Sequence, residues 1–299
     1  MIAGPNPARA AQFSVIIPVY NDWESLEGCL QSLAEQSGGP DFEVIVVDDG
    51  SQDPAPESIR RWDRSYRLAV IPQGQAGVAT ARNRGIQASK GEVLVFTDAD
   101  CRFQPNCLSA LAAAIASSPQ HNCFQLHIGG DFSNLVGRAE GLRLIALQER
   151  TQQPDGGIRY LNTSGFAIRR SRVNVDSALF DPAALRAEDT LLLANLIRQG
   201  EMPRFVGNAR VQHSISLSFW GCLLKDFQKA RLERRTSQLI KRTGVQVRMQ
   251  NRDRVRMLVS TWKLARHPSI GVRAWAVLVA RQSVARTVMM LHEYFPFAV

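Results

Sequence analysis

Two aspartates separated by one residue, Asp98 and Asp100, follow the apolar run Val93-Leu-Val-Phe96. Such a run is typical of a buried strand, so both carboxylates are expected at the strand's C-terminal end, where open α/β sheets bind their ligands. Two carboxylates there can bind Mg²⁺ or Mn²⁺, and that ion can in turn bind a diphosphate. A turn with solvated carboxylates is the alternative, so the rest of the chain has to decide between them.

Polar and acidic residues also follow two other predicted strands. The run 13–19 ends at Tyr20-Asn21, which puts Pro18, Tyr20 and Asn21 at the edge of the sheet. The run 42–47 leads directly into Asp48-Asp49 and a turn glycine, a pattern that by itself also fits a turn with a helix cap. Polar or acidic residues therefore follow three predicted strands along the chain.

A weaker strand, 66–71, precedes a helix that opens at 74–77 and carries Arg82 in its first turns. A phosphate or ribose can bind at such a helix terminus, and arginines on a solvated face are the other interpretation. The succession of strands and helices predicts a doubly wound α/β sheet. A dinucleotide-binding oxidoreductase is disfavoured, because Pro-Val-Tyr-Asn-Asp stands after the first strand where Gly-x-Gly-x-x-Gly would be needed.

Composition limits the class of protein. The chain has 299 residues, 45% of them hydrophobic, which is enough for one large α/β domain with an appendage. Its five cysteines contain no Cys-x-x-Cys pair, which argues against a disulfide framework or a zinc ribbon and favours a reducing, cytoplasmic setting. Residues 1–12 lack a continuous apolar run and are predicted to be a loose tail.

The positive charge is concentrated at the C-terminal end. Residues 225–299 contain 16 Lys or Arg and four Asp or Glu, a balance of +12, whereas the remainder has 20 and 23, a balance of −3. A solvated face, nucleic acid and an anionic membrane surface are the three readings of such a cluster, and nucleic acid is the least favoured.

Four ordered motifs resemble those of the family 2 glycosyltransferases. They are Ser14-Val-Ile-Ile-Pro-Val-Tyr-Asn21, Val47-Asp-Asp-Gly-Ser51, Gly77-Val-Ala-Thr-Ala-Arg-Asn-Arg-Gly85 and Thr97-Asp-Ala-Asp100. The resemblance covers roughly residues 13–235. It implies a GT-A fold, which is a doubly wound, nucleotide-sugar-binding mixed sheet, together with inverting transfer and a divalent metal, Mg²⁺ or Mn²⁺.

The resemblance also implies roles for individual residues. Pro18 and Tyr20 would lie against the nucleotide base, with Asn21 beside them, and Asp49 would bond the uracil edge. Arg82 lies in the matching nucleotide-contacting helix. The roles implied at the metal are ribose or metal contact for Asp98 and principal metal ligand for Asp100.

Three later residues complete the predicted site. Glu188 and Asp189 open an apolar-periodic helix, where acidic residues usually just favour the helix dipole. In inverting members of the family an acidic residue here is the general base that deprotonates the acceptor. Asp189 is assigned this role and Glu188 a supporting one, although the sequence allows the two to be exchanged. A lone histidine is more often structural, but the resemblance implies that His213 completes the metal or diphosphate site.

One segment, which precedes Glu188 in the chain, is similar to the segment that faces the donor sugar in members of the family. It runs from Tyr160 to Ile168 and is predicted to be a strand, in which Gly165 permits close approach of the substrate. An ordinary strand with a glycine bulge is the alternative.

The C-terminal region is predicted to be helical. The helix 216–235 carries Trp220 and Phe227 on an apolar stripe, as an interfacial helix does. The segment 270–297 is apolar, but the arginines within it make a membrane-spanning helix costly. A cap over the active site, a homodimer surface and a monotopic contact with anionic lipid remain open.

The predicted organisation is therefore a tail at 1–12, a catalytic domain at 13–235 and a basic helical extension at 236–299. The catalytic domain divides into a nucleotide-binding half, 13–102, and an acceptor-binding half, 103–235. The resemblance implies transfer from a UDP-sugar to an acceptor hydroxyl. The basic C-terminal region with its aromatic residues predicts a place at the inner face of the cell membrane, where the acceptor would be a lipid-linked, cell-envelope or exopolysaccharide glycan. A catalytically silent nucleotide-sugar or membrane-binding module and a nucleotidyltransferase are the alternatives.

Overall fold

A computed structural model describes residues 12–174, 177–214, 218–247, 251–268 and 270–294. All the predicted site residues lie within these ranges. The predicted tail lies outside them, apart from Gln12, and so do Phe295 and Phe297 at the C-terminal end.

The described part of the chain is built on one mixed sheet of eight strands in the order β3-β2-β1-β4-β7-β6-β8-β5. The strands are β1 Phe13–Val19, β2 Phe42–Asp48, β3 Arg67–Pro72, β4 Val93–Phe96, β5 Cys101–Phe103, β6 Cys123–Gly130, β7 Phe166–Arg169 and β8 Arg204–His213. The first four strands in this order are parallel, so their carboxyl ends share one edge. Strand β7 is antiparallel to both β4 and β6, β6 is parallel to β8, and β5 is antiparallel to β8.

Helices cover both faces of the sheet and continue beyond it. They are α1 Trp23–Ala34, α2 Glu57–Arg60, α3 Val78–Ala88, α4 Cys107–Ala116, α5 Leu135–Thr151, α6 Glu188–Arg198, α7 Phe219–Arg242, α8 Asn251–Ala265 and α9 Val272–Tyr294. Asp22 caps α1 by accepting a hydrogen bond from the Ser25 N–H.

Alternation along the central strands divides the core into two layers. In β1, Val15 and Ile17 pack into the cluster that contains residues of α1 and α4, whereas Ile16 faces the cluster that contains residues of α3 and α6. Helix α3 lies very close to β1, because a Cβ on Gly85 would be 2.4 Å from Cγ2 of Ile16. Alanine at this position would therefore push α3 away from the sheet.

Two predicted elements differ from those observed. The strand expected at 160–168 is confined to Phe166–Arg169, and the residues before it form a loop and a short 3₁₀ turn. The sequence also predicts two short strands at 204–206 and 209–212; the structure joins them in one strand, β8, whose pairing with β6 shifts register between Leu126 and His127. A bulge of this kind bends a strand without ending it.

The C-terminal helices pack directly onto the rest of the fold. Residues of α8 and α9 form a small buried cluster with α5, made of Ala139, Leu142, Ala265, Ala274 and Leu278. Helix α7 passes through residue 235, where the predicted catalytic domain ends, and Ile240 near its end is buried against Leu191 and Ala194 of α6. Among the described helices, none combines the length and the apolar character needed to cross a bilayer.

Candidate active site

The short turn between β4 and β5 carries both aspartates of the Asp-x-Asp motif. Thr97, directly after β4, is fully buried, and its hydroxyl donates to the Ser164 carbonyl oxygen at 3.0 Å. The Ser164 hydroxyl in turn donates to Oδ2 of Asp98 at 2.7 Å. The turn is therefore fixed by the segment before β7, and the position of Asp98 depends on residues far away in the sequence.

His213 reaches the same turn from the other side. It ends β8, where it is paired in register with Cys101 of β5, and the next residue, Ser214, donates its backbone N–H to the Asp100 carbonyl oxygen at 2.9 Å. Its Nε2 lies 3.3 Å from Oδ2 of Asp100. The antiparallel pairing of β5 with β8 thus brings together an aspartate and a histidine more than a hundred residues apart.

One ligand atom from each of Asp98, Asp100 and His213 lies within 4.8 Å of the other two. Two carboxylate oxygens and an imidazole nitrogen are a suitable donor set for Mn²⁺, and the carboxylates also suit Mg²⁺. Within the described residues, this cluster fits the divalent ion that the family resemblance implies.

Electrostatic interactions within the site favour the charged forms of Asp98 and His213. Burial opposes ionisation of Asp98, but the Arg82 guanidinium and the Ser164 hydroxyl outweigh burial and lower the pKa of this carboxyl. Burial likewise opposes protonation of His213, but the hydrogen bond and charge of Asp100, with the charge of Asp98, raise the pKa of the imidazole. The two carboxylates therefore attract positive charge, and a cation bound through Nε2 of His213 would take the place of the imidazole proton.

Arg82 links the Asp-x-Asp turn to the acidic pair. Its side chain is only 2% exposed; Nη2 donates to Oδ1 of Asp98 and Nη1 donates to Oε1 of Glu188, both at 2.7 Å. The guanidinium also lies over the ring of Phe180, 5.5 Å from its centroid. The sequence predicted a nucleotide contact for this arginine, and what the structure gives it is two carboxylate partners on different elements.

The acidic pair stands at the beginning of α6. Both side chains are half-buried, and Oδ1 of Asp189 accepts a hydrogen bond from the Thr190 backbone N–H at 2.6 Å. The preceding residue, Ala187, has φ 56° and ψ 34°, a left-handed conformation that an alanine adopts at a cost of about 1 kcal/mol or more. The backbone is thus turned sharply just before the two carboxylates.

The predicted nucleotide-contacting residues meet where β1 and β2 end. Pro18 is paired with Val47 across the sheet. Asn21 joins the end of β1 to the turn after β2, because its side-chain oxygen accepts from the Gln52 N–H at 2.8 Å. The buried Asp49 carboxylate accepts from the Gln73 side chain and from two successive backbone N–H groups, those of Ala76 and Gly77, at 2.8–2.9 Å.

A cavity of about 810 Å³ joins the predicted catalytic residues. Those among its lining residues are Arg82, Asp98, Asp100, Glu188, Asp189 and His213. The other four predicted residues, Pro18, Tyr20, Asn21 and Asp49, are not among the described residues that line it. Tyr20 is exposed and Asp49 is buried, whereas Asp22, the residue after Asn21, does line the cavity, so the cavity reaches the end of β1.

The far side of the cavity is formed by residues that the sequence did not single out for the site. Glu140 and Arg143 of α5 are ion-paired, and Arg281 of α9 donates to Asp226 of α7 at 2.7 and 3.1 Å and to Glu140 at 3.4 Å. Burial alone would raise the pKa of Glu140, but the charges of Arg143 and Arg281 hold it well below its usual range. We refer to Glu140, Arg143, Asp226 and Arg281 as the four-residue ion network.

One sequence prediction near the site is wrong. A Cβ on Gly165 would lie 2.3 Å from Cδ1 of Ile128 in β6. This glycine therefore makes room for a core side chain and does not serve the approach of a substrate. Ser164 beside it, which holds Asp98, carried no signal beyond its place in the segment that the sequence had matched to the family.

Comparison with known proteins identifies the family of this chain. The sequence profile of Glycosyl transferase family 2 matches residues 14–175, just over half of the chain. The glycosyltransferase AglE of Haloferax volcanii is 44% identical over 91 residues, which are 29% of this chain and 30% of AglE. The uncharacterised glycosyltransferase EpsJ of Bacillus subtilis is 39% identical over 203 residues, 63% of this chain and 56% of EpsJ. These matches thus span between about a third and just over half of each relative.

Two solved structures share the fold. The Staphylococcus aureus TarS fragment 1–349, in complex with UDP, has a TM-score of 0.56 at 19% identity, with 95% of this chain and 91% of that chain covered. The mannosyltransferase PcManGT of Pyrobaculum calidifontis, in complex with GDP-Man and Mn²⁺, has a TM-score of 0.57 at 19% identity, with 98% and 83% covered. The fold is therefore GT-A, and the chain belongs to glycosyltransferase family 2.

Proposed function

We propose that this glycosyltransferase uses a divalent metal to move a sugar from a nucleoside-diphosphate sugar, a UDP-sugar, to an acceptor hydroxyl, with inversion at the anomeric carbon. The observation that carries the proposal is one cavity with two chemical functions. Asp98, Asp100 and His213 lie within 4.8 Å of one another on one side, and Glu188 and Asp189 line the same cavity. The first set suits a cation and the second suits a base.

In this proposal the nucleotide binds at the ends of β1 and β2. Pro18 and Tyr20 lie against the base, with Asn21 beside them, and Asp49 accepts a hydrogen bond from the uracil edge. The Asp49 carboxylate is held rigidly by the Ala76 and Gly77 N–H groups, which supports a fixed recognition role. The complex of TarS with UDP supports this choice of nucleotide, whereas that of PcManGT with GDP-Man makes a guanine nucleotide the rival.

Asp100 and His213 would hold the metal ion, with Asp98 contacting either the ion or the ribose. When bound, Mg²⁺ or Mn²⁺ supplies positive charge that stabilises the departing diphosphate. Arg82 does not compete for this role, because both of its terminal nitrogens are occupied by Asp98 and Glu188. It acts as a positioning residue that fixes a donor-side carboxylate relative to an acceptor-side carboxylate.

Asp189 is proposed as the general base and Glu188 as its support. The Glu188 carboxylate is ion-paired with the almost fully buried guanidinium of Arg82, so it is already engaged within the protein and is suited to a supporting role. Asp189 takes the acceptor proton while the acceptor oxygen bonds to the anomeric carbon and the bond from that carbon to the diphosphate breaks. Attack from the side opposite the leaving group inverts the configuration.

The C-terminal helices extend the cavity on its acceptor side, since Lys225, Val255, Leu258 and Arg281 line it. An acceptor would therefore contact both the family fold and these helices. We propose a lipid-linked, cell-envelope or exopolysaccharide glycan as the acceptor, used at the cytoplasmic face of the membrane. Apolar and charged side chains share this wall, which supports an acceptor with both characters.

A screen of UDP-sugars and GDP-mannose tests the proposal, with release of UDP or GDP measured in Mn²⁺ and in excess chelator. We expect one UDP-sugar to be turned over and the chelator to abolish turnover. Asp63→Asn is the matched control for Asp100→Asn, because Asp63 is exposed and precedes β3, at the edge of the parallel strands opposite to their carboxyl ends. Nucleotide binding without turnover of any donor would favour the silent module, and pyrophosphate release from a nucleoside triphosphate would favour a nucleotidyltransferase.

A further inference from the structure

We infer that α7 and α8 carry a lipid-binding face that inserts into the headgroup region of an anionic bilayer. Its residues are Trp220, Leu224 and Phe227 on α7 and Val255, Val259 and Trp262 on α8. Both helices pack against α9 and both contribute to the lining of the cavity, and we name their two exposed stripes together the lipid-binding face. Trp220 is 76% exposed, Leu224 and Val255 are 59% exposed, and Val259 is 57% exposed. Single exposed apolar residues are ordinary, but large exposed apolar groups in rows indicate a binding surface.

The spacing shows that these residues form one stripe on each helix. Positions 220, 224 and 227, like positions 255, 259 and 262, follow the i, i+4, i+7 pattern that keeps side chains on the same side. The opposite side of α7 carries Cys222 and Asp226, which line the cavity, and that of α8 carries the buried Met257 and Thr261. The stripes therefore lie on the sides of these helices that face away from the buried residues, although Trp262 also packs edge-on against Trp275 of α9 at 4.9 Å.

Exposed cations accompany both stripes. Lys225 lies beside Leu224 on α7, and Arg256, Lys263 and Arg266 lie on or just after α8. Two acidic residues on these helices have described side chains: Asp226, which is bonded to Arg281, and the partly exposed Asp253 in the first turn of α8, against the four exposed cations. Apolar side chains with tryptophan, bordered by lysine and arginine, are the combination that binds an anionic lipid surface.

Charge also argues against a second copy of this chain as the partner. A two-fold dimer buries the same patch from both subunits, so the cations beside one stripe would face the same kind of cations in the other copy. A bilayer that contains anionic lipid brings negative charge to every one of them. A lipid surface is therefore the occupant of this face.

The position of the cavity connects this face to the proposed function. Lys225, next to Leu224, and Val255, a member of the face, also line the cavity that contains the catalytic residues. A bilayer that contacts the face would lie beside the acceptor side of that cavity. This consequence rests on the proposed transfer reaction, whereas the lipid contact itself does not.

Cosedimentation of the full chain with vesicles tests the inference. One set of vesicles is pure phosphatidylcholine, and the other contains about 30% of the anionic lipid phosphatidylglycerol. We expect binding to the second set only, and we expect it to weaken with added salt because surface attraction is screened within about 10 Å at 0.1 M. Turnover of the nucleotide sugar is measured separately in vesicle-free buffer, so failure of the lipid contact can be told apart from failure of the proposed transfer reaction.

Two variants locate the contact. Trp220→Ser with Leu224→Ser should reduce partition into anionic vesicles at least about tenfold, because two large apolar side chains lose their burial in the bilayer. Leu185→Ser is the control, since Leu185 is 52% exposed but precedes α6 and belongs to neither stripe. It should bind vesicles as the unmodified chain does. Both positions of the double variant are exposed, and circular dichroism and gel filtration check that it remains folded.

Three results would overturn the inference. The first is an unmodified chain that stays in the supernatant with anionic vesicles at low salt. The second is a double variant that binds them normally, which would move the contact to another surface. The third is a dimer in gel filtration that the double variant abolishes, which would make a second copy the occupant of this face.

Discussion

Replacing Arg281 by methionine should destabilise the protein strongly, because it leaves two buried carboxylates short of positive charge. The Arg281 side chain is 13% exposed, and those of its partners Asp226 and Glu140 are 18% and 9% exposed. Breaking a buried pair costs about 3–5 kcal/mol, whereas an exposed pair contributes about 0–1 kcal/mol. Glu140 keeps Arg143, and all three side chains retain some contact with water, so we expect a loss near the lower limit, about 3 kcal/mol.

Urea unfolding, followed by circular dichroism, measures this loss. In a thermal melt, the melting temperature should fall by about 6–12 °C, at about 2–4 °C per kcal/mol for a protein of this size class. Arg273→Met is the matched control, because Arg273 is exposed on the same helix, and its effect should stay within about 0.5 kcal/mol. Combining Arg281→Met with Asp226→Leu removes both charges and should recover most of the lost stability.

A loss below about 1 kcal/mol in Arg281→Met would refute the reasoning, because it would mean that the four-residue ion network behaves as a solvated surface cluster. A double variant less stable than Arg281→Met would also contradict it. That result would assign the energy to packing of the arginine stem rather than to its charge.

The remaining predictions concern chemistry and pH. Asp100→Asn should lower donor turnover at least about 100-fold with the melting temperature unchanged, since one charge at the cation site is lost; near-normal turnover would contradict the metal site. Asp189→Asn should abolish transfer but leave UDP affinity, measured by calorimetry, almost unchanged; an equal loss of affinity would show that the base is misassigned. The pKa of Glu140 is depressed in the folded protein, so its contribution to the free energy of unfolding is complete above the unfolded pKa of about 4.3 and is lost as pH falls below that value. Glu140→Gln should therefore make the free energy of unfolding fall less steeply at acid pH. An unaltered fall would exclude Glu140 as its source.

Elements whose patterns are local were predictable from the sequence. The strands β1 and β4 were placed with the observed bounds, because continuous apolar runs fix a buried strand wherever it lies in the sheet. Residues 160–165 were not, because Asn162 accepts a hydrogen bond from the Ser164 N–H and so offers the backbone an alternative to a sheet ladder. Apolar pattern alone does not reveal that competition.

The site shows the same division between local and distant information. Asp98, Asp100 and His213 were predicted as one cluster, and the structure brings them together. The bonds of Arg82 to two carboxylates were not predictable, since Glu188 is 106 residues away and the pairing depends on how α3 and α6 pack on the sheet. The link from Arg281 to Asp226 likewise depends on how α9 lies against α7.

Helix α7 is a single rod of 24 residues, roughly 36 Å long at 1.5 Å per residue. Near one end it carries Trp220, and near the other Ile240 is wedged against α6, the helix that opens with Glu188 and Asp189. A rod has little freedom to bend, so a tilt of about 5° about its midpoint would displace its two ends by about 1.5 Å in opposite directions. Contact of a surface with the outer end of α7 would therefore also shift the end that packs against α6, and with it the helix that positions Glu188 and Asp189.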